Sequence, residues 1–251
     1  MMNDIGLPLL LSFLAGICTV FGSFILFFVK DFKKSYLSFF LGISAGAMIY
    51  LSFIELMPQA IKELGFLSSN LVFFLGILFI GIIDFIVPHH FINYCSKNGF
   101  KYDKLMLSSF MVVVGIAIHN FPEGVAVFMS SLGNIKFGVL IALATALHNI
   151  PEGIAVATPI YFVTKSKLKA FGYSFFAGIV EPLGALIAYL VLRPYLSLNF
   201  LFYVFAFVAG IMVYISLDEL LPSCFEHARG HTAIVGIVIG MMIMAFSLNF
   251  M

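Results

Sequence analysis

Charge is what this sequence has least of. Of its 251 residues only 10% are charged, against 62% hydrophobic, a balance far outside the range of soluble globular domains. A soluble core has no use for so much apolar sequence. A helical membrane bundle does, because every lipid-facing position must be apolar. The net charge of +1 gives no reason to expect a nucleic-acid partner. Cysteine is nearly missing as well: Cys18, Cys95 and Cys224 fit no zinc-finger or redox spacing, so neither a disulfide framework nor a thiolate centre is indicated. No Gly-x-x-x-x-Gly-Lys-Ser/Thr run is present, which excludes ATP binding through a P-loop, and no His-Glu-x-x-His, which a zincin-type hydrolase requires. The segment before the first apolar run has Asp4 and no Lys or Arg. That is the wrong flank for a signal peptide, so this run is expected to remain in the mature protein.

What the sequence has in abundance is apolar runs of about 20 residues, the length that crosses a bilayer as a helix. Eight stand out, at 7–29, 36–60, 69–92, 105–131, 137–161, 168–193, 199–222 and 232–250. The connections are short and no low-complexity tract interrupts them. The expectation is therefore an all-α membrane protein of eight transmembrane helices forming a single domain, 1–251. The basic residues set its orientation. Lys30, Lys33, Lys34, Lys97, Lys101, Lys104, Lys165, Lys167, Lys169 and Arg229 fall in the loops after the odd-numbered spans, and only Lys62, Lys136 and Arg193 fall on the other side. That split places the first set of loops in the cytoplasm and both termini outside.

The spans repeat one another. Ala45-Gly46-Ala47-Met48-Ile49-Tyr50-Leu51-Ser52-Phe53-Ile54-Glu55-Leu56-Met57-Pro58 in the second aligns with Ala209-Gly210-Ile211-Met212-Val213-Tyr214-Ile215-Ser216-Leu217-Asp218-Glu219-Leu220-Leu221-Pro222 in the seventh, with eight of fourteen positions identical. The two spans run in opposite directions. The first and sixth match more weakly, as Ala15-Gly16-Ile17 with Ala177-Gly178-Ile179, a likeness that chance alone can produce among apolar segments. Chance is a poor account of Ser, Glu and Pro falling in register in the second and seventh. The chain reads as spans 1–3 and 6–8 related by inversion, with 4 and 5 an inverted pair between them, a 3+2+3 bundle. Inverted repeats are a transporter signature, with the substrate near the midplane where Gly or Pro interrupts the helices.

Spans 4 and 5 carry the strongest signal. His119-Asn120-Phe121-Pro122-Glu123-Gly124 returns as His148-Asn149-Ile150-Pro151-Glu152-Gly153. Ionisable groups at this depth are expensive and need a partner that offsets the cost. A divalent metal, attracted by carboxylate oxygen and imidazole nitrogen, is the natural one. On a helix, positions i and i+4 share a face, so His119 lies with Glu123 and His148 with Glu152. Pro122 cannot donate to the carbonyl of Ile118, nor Pro151 to that of Leu147, so each proline is expected to kink its helix and to free one carbonyl as a candidate oxygen ligand. Gly124 and Gly153 permit close helix approach. Two antiparallel helices with these motifs at one depth bring together two His, two Asn and two Glu, enough for two metal positions bridged by the carboxylates. Buried polar glue between helices would account for one intramembrane His, but not for the duplicated motif.

Glu181, mid-span beside Pro182, is the third acidic candidate; a protonated Glu bonded to a carbonyl is the structural alternative. Glu55, Asp84, Asp218 and Glu219 lie nearer helix ends, where interface or packing roles compete with a role along an ion path. His89, His90, His227 and His231 lie at ends facing the cytoplasm, either to receive outgoing metal or as ordinary solvated residues.

With these motifs together, the sequence resembles, over essentially its whole length, the ZIP family of divalent metal transporters, and within it the bacterial members. The resemblance rests on the two hexapeptides, the Glu181 segment and Ser216-Leu217-Asp218-Glu219-Leu220-Leu221-Pro222. It implies an eight-helix inverted-repeat bundle in the plasma membrane, the inner membrane of a bacterium. Its implied function is to import zinc, with iron(II), manganese and cadmium as further candidates. It also implies that His119, Glu123, His148 and Glu152 form one position of a two-metal centre. Asn120, Asn149 and Glu181, with the bridging Glu123 and Glu152, form the second. The metal is cargo, so no cofactor is expected. The partners expected are the ion, the bilayer and, in a homodimer, a second copy. Many relatives carry a long His-rich loop between spans 3 and 4; here it holds only His89, His90 and Cys95. A membrane-embedded dinuclear metalloenzyme is the alternative function. It would need an open coordination position and a separate acid–base group, and no such spare group is evident.

Overall fold

Apolar runs this long must satisfy their backbone polar groups internally, and in hydrocarbon a helix does so within one segment. The computed structural model describes residues 5–28, 33–97, 104–192, 197–227 and 230–249, with side chains over the same ranges except 87–97, 104–108, 192, 198, 227 and 230. Among the described residues every regular element is a helix. Eight are long and apolar enough to span a membrane: α1 (Gly6–Phe28), α2 (Lys34–Leu64), α3 (Phe66–Ile86), α4 (Ser109–Gly133), α5 (Ile135–Thr164), α6 (Lys167–Val191), α7 (Asn199–Glu226) and α8 (His231–Leu248). The expected eight transmembrane helices are present. The third continues past its apolar stretch as one helix, Phe66–Lys97. The side chains of His89, His90, Cys95 and His227, and the whole of Arg193 and Arg229, lie outside the described residues.

Helix ends follow local chemistry. Asn134 caps α5, its side chain accepting from the backbone N–H groups of Lys136 and Phe137, and Ser166 and Ser197 do the same for the helices that come after them. Gly65, at φ 82°, ends α2 in a conformation that a residue with a Cβ rarely adopts. The one-residue connection at Asn134 sets the relative depth of the two hexapeptides. It folds α4 and α5 into an antiparallel hairpin in which His119 lies fifteen residues before the turn and His148 fourteen after it. At ~1.5 Å per residue both hexapeptides sit about 22 Å from the bend, side by side at one depth.

The helices pack in two groups. In one, α1 lies on α5, α4 on α6, α4 on α5 and α1 on α6; in the other, α2 lies on α8 and α3 on α7. The groups meet chiefly where α2 touches α5 and α7 touches α4. The second group has its own regularity. Each copy of the Ser-x-x-Glu-Leu-x-Pro motif is a π-turn, Ser52–Leu56 in α2 and Ser216–Leu220 in α7. A proline ring collides with the carbonyl four residues back. Widening the turn ahead of Pro58 and Pro222 relieves that collision, and the N–H groups of Met57 and Leu221 bond five residues back, to the carbonyls of Ser52 and Ser216. The outer faces carry exposed Phe, Leu, Ile and Met, such as Phe74, Phe85, Leu190 and Met242, as a lipid-facing surface requires.

Candidate metal centre

All seven residues singled out from the sequence are buried: His119, Asn120, Glu123, His148, Asn149, Glu152 and Glu181 are at most 5% exposed. The α4–α5 hairpin brings six of them together, and α6 supplies the seventh. Pro122 and Pro151 lie inside their helices, which continue past them.

The imidazole and carboxylate groups pair across the two helices. His119 Nε2 lies 3.0 Å from Glu152 Oε1, and His148 Nε2 lies 3.2 Å from Glu123 Oε1. Within one motif, His148 Nε2 is 3.8 Å from Glu152 Oε1. Each ring is oriented from behind by a backbone carbonyl one turn earlier: Nδ1 of His119 faces the carbonyl of Gly115 at 3.2 Å, and Nδ1 of His148 that of Ala144 at 3.0 Å. This fixes Nε2 toward the carboxylates, the arrangement in which a second partner orients a metal-binding imidazole. Ligand atoms of His119, Glu123 and Glu152 all lie within 4.8 Å of one another, close enough to share an ion.

The asparagines are anchored by their nitrogens and leave their oxygens free. Asn120 Nδ2 donates to the carbonyl of Ala177 at 3.0 Å, and Asn149 Nδ2 to that of Ala15 at 2.9 Å. Asn149 Nδ2 also donates to Glu181 Oε2 at 2.6 Å, which ties α6 to the hairpin. Asn120 Oδ1, Glu123 Oε2, Asn149 Oδ1, Glu152 Oε2 and Glu181 Oε1 are buried without a hydrogen-bond partner.

Such close placement needs backbones in contact. A Cβ on Gly124 would lie 1.8 Å from the carbonyl oxygen of Glu181, and one on Gly153 would lie 1.7 Å from that of Thr19. Sequence reasoning expected this closeness but missed the groups behind it. The carbonyls of Ala15 and Ala177 hold the two asparagines, and both belong to the Ala-Gly-Ile likeness between α1 and α6, the weakest of the repeats. Thr19, whose buried Oγ1 has no partner, also went unnoticed. Of the outlying acids, Asp84 accepts from the Tyr214 hydroxyl at 3.1 Å and groups with Asp218 and Glu219, while Glu55 is half-buried and accepts from the amide of Gln59. His231 is exposed.

A profile of the family described as "ZIP Zinc transporter" matches residues 88–248. The chain is 48% identical to the zinc transporter ZupT of Chlorobium phaeovibrioides over 98% of both chains. It is 47% identical to that of Streptococcus mutans over 95% of both. With that of Clostridium perfringens it shares 42% identity over 98% of this chain and 96% of the relative.

Proposed function

The chain belongs to the ZIP family of zinc transporters, and from that premise we propose that it imports zinc, with iron(II), manganese and cadmium as further cargo, through a two-metal site between α4, α5 and α6. It is a multi-pass membrane protein and a transporter, not an enzyme; in a bacterium its membrane is the inner one. The relatives named as zinc transporters make zinc the first cargo to test.

The observation that carries the two-metal reading is the surplus of buried acceptors. Three carboxylates and two amides converge, and five of their oxygens have no donor. An unsatisfied buried polar group costs about 1–3 kcal/mol and a charged one more, so a cluster of five is costly unless cations occupy it. In this reading His119, His148, Glu123 and Glu152 hold one ion. Asn120, Asn149 and Glu181, with the same two glutamates, hold the other. Imidazole suits zinc, and the oxygen-only position accepts harder ions.

Matched contacts support the inverted repeat. Gly16 and Gly178 face each other, and a Cβ on either would lie about 2.5 Å from the other's carbonyl oxygen. Ala15 and Ala177 hold equivalent asparagines. Substrate sites at such pseudo-two-fold axes are what alternating-access transporters share.

Radiozinc uptake into liposomes tests the reading. Glu123→Ala and Glu152→Ala should each abolish uptake at wild-type protein content, because each removes a ligand from both positions and the charge that offsets the ion's lost hydration. Wild-type uptake by Glu123→Ala would refute the bridged site.

A further inference from the structure

A narrow cavity of about 30 Å³ leads away from the His148–Glu123 pair. Its polar lining is Glu55, Glu123, Thr145 and His148, and apolar side chains such as Leu51 and Ile141 make up the rest. Of all its lining residues only Glu55 is not buried, so Glu55 stands at its mouth. At the inner end, Glu123 Oε2 is buried without a partner. We propose that Glu55 is the first protein ligand of the transported ion on this side, a capture point where the ion exchanges water for carboxylate before passing to Glu123 and His148. The inference rests on the two-metal reading and adds to it the path by which the site is loaded.

Three observations converge on it. The first is size. Roughly 10–15 Å³ holds one water, so this cavity takes one or two and not an ion with its whole hydration shell. Water must therefore be replaced at the mouth, and Glu55 is the ionisable oxygen donor there. The second is register. The π-turn Ser52–Leu56 sets Leu51, Glu55 and Leu56 on one wall, four and five residues apart, which a wide turn accommodates. The third is orientation. Gln59, one turn on, donates its amide to Glu55 Oε1, which steadies the carboxylate.

A carboxylate at a narrow mouth concentrates cations by charge and, without imidazole beside it, does not sort zinc from manganese. Glu55 should therefore govern the concentration at which the transporter loads and leave the choice of metal to the inner site.

The test uses full-length protein in liposomes, with zinc and manganese chlorides as probes. Glu55→Gln and Glu55→Ala should raise the KM for radiozinc uptake by about tenfold. The maximal rate should be little changed, and so should the zinc-to-manganese ratio in competition. Glu55→Asp should fall between. In protein with Cys18, Cys95 and Cys224 changed to Ser, Glu55→Cys should react with an impermeant thiol reagent, and zinc should protect it. A wild-type KM in both Glu55→Gln and Glu55→Ala, an altered metal ratio, or unprotected labelling would overturn the proposal. Glu123→Ala measured alongside separates the two claims. If it transports, the metal-site reading has failed; if it is inactive while Glu55→Gln keeps a wild-type KM, only the capture role has failed.

Discussion

Each functional side chain in the centre uses one end for support and presents the other. The imidazoles rest Nδ1 on carbonyls of their own helices, and the asparagines rest Nδ2 on carbonyls of α6 and α1. What remains is two ring nitrogens and a set of oxygens, divided by chemistry into a nitrogen-bearing half and an oxygen-only half. This division predicts selectivity. His119→Ala with His148→Ala removes the ligands zinc prefers and leaves the bridging carboxylates, so zinc uptake should fall more than manganese or iron(II) uptake. Asn120→Ala or Glu181→Ala should do the reverse. Competition uptake of zinc against manganese and iron(II) decides it, and a uniform loss in both sets would mean that the cluster acts as one site. The seven polar residues were legible in the sequence because polar letters stand out in apolar runs. The crossed pairing of His119 with Glu152 was not, because i,i+4 geometry describes one helix while the shortest contacts here join two. The supporting carbonyls of Ala15 and Ala177 were invisible for a plainer reason: a backbone acceptor leaves no mark on residue identity.

At the scale of the helix, sequence showed where the spans are and less of how they end or bend. Hydropathy placed the second span at 36–60, whereas α2 runs to Leu64, because polar residues after Pro58 still favour helix until Gly65 stops it. The repeated Ser-x-x-Glu-Leu-x-Pro was plain as a likeness, but the π-turn it builds was not, since apolar periodicity is too coarse to register one extra residue in a turn. Glycine is the other device at this scale. Where helices touch through backbone, a methyl group has nowhere to go. Gly124→Ala and Gly153→Ala should each destabilise the protein by about 1–3 kcal/mol or more, as overpacking does, and should impair uptake by pushing α6 or α1 off the hairpin. Gly172, inside α6 with nothing within 4 Å of a built Cβ, provides the control, and Gly172→Ala should leave uptake unchanged and stability unchanged or up to about 1 kcal/mol higher. Thermal unfolding in detergent, followed by loss of the monodisperse peak, reads the difference. Equal stability of Gly153→Ala and Gly172→Ala would show that the α1–α5 contact is not tight.

For the whole molecule, the question is which end faces the cytoplasm, because that fixes the direction of transport. The structure brings the end of α1 against the start of α6. Lys167 at the start of α6 lies 5.6 Å over the ring of Phe27 at the end of α1, and Phe24 and Phe171 meet edge to face with ring centroids 5.7 Å apart. The end of α1 and the start of α6 are thus neighbours, and Lys33 and Lys34, which follow α1 in the sequence, are expected at the same end as Lys165, Lys167 and Lys169. The α4–α5 bend at Asn134, a full helix length away, has Lys136 as its one basic residue in the adjoining sequence. Cytoplasmic loops retain Lys and Arg, so the end with the cluster should face in and the bend should face out. Gly133 is exposed at that bend. In intact cells, Gly133→Cys should be labelled by an impermeant thiol reagent, and native Cys95, beside Lys97 on the loop side expected to face the cytoplasm, should react only after the membrane is opened. Cys224 is buried and Cys18 only half-exposed, so a Cys18→Ser background keeps the readout clean. The opposite pattern would invert the molecule. Glu55, on the helix end that shares the expected outer face, would then stand on the cytoplasmic side, and the capture point proposed there would become a point of release.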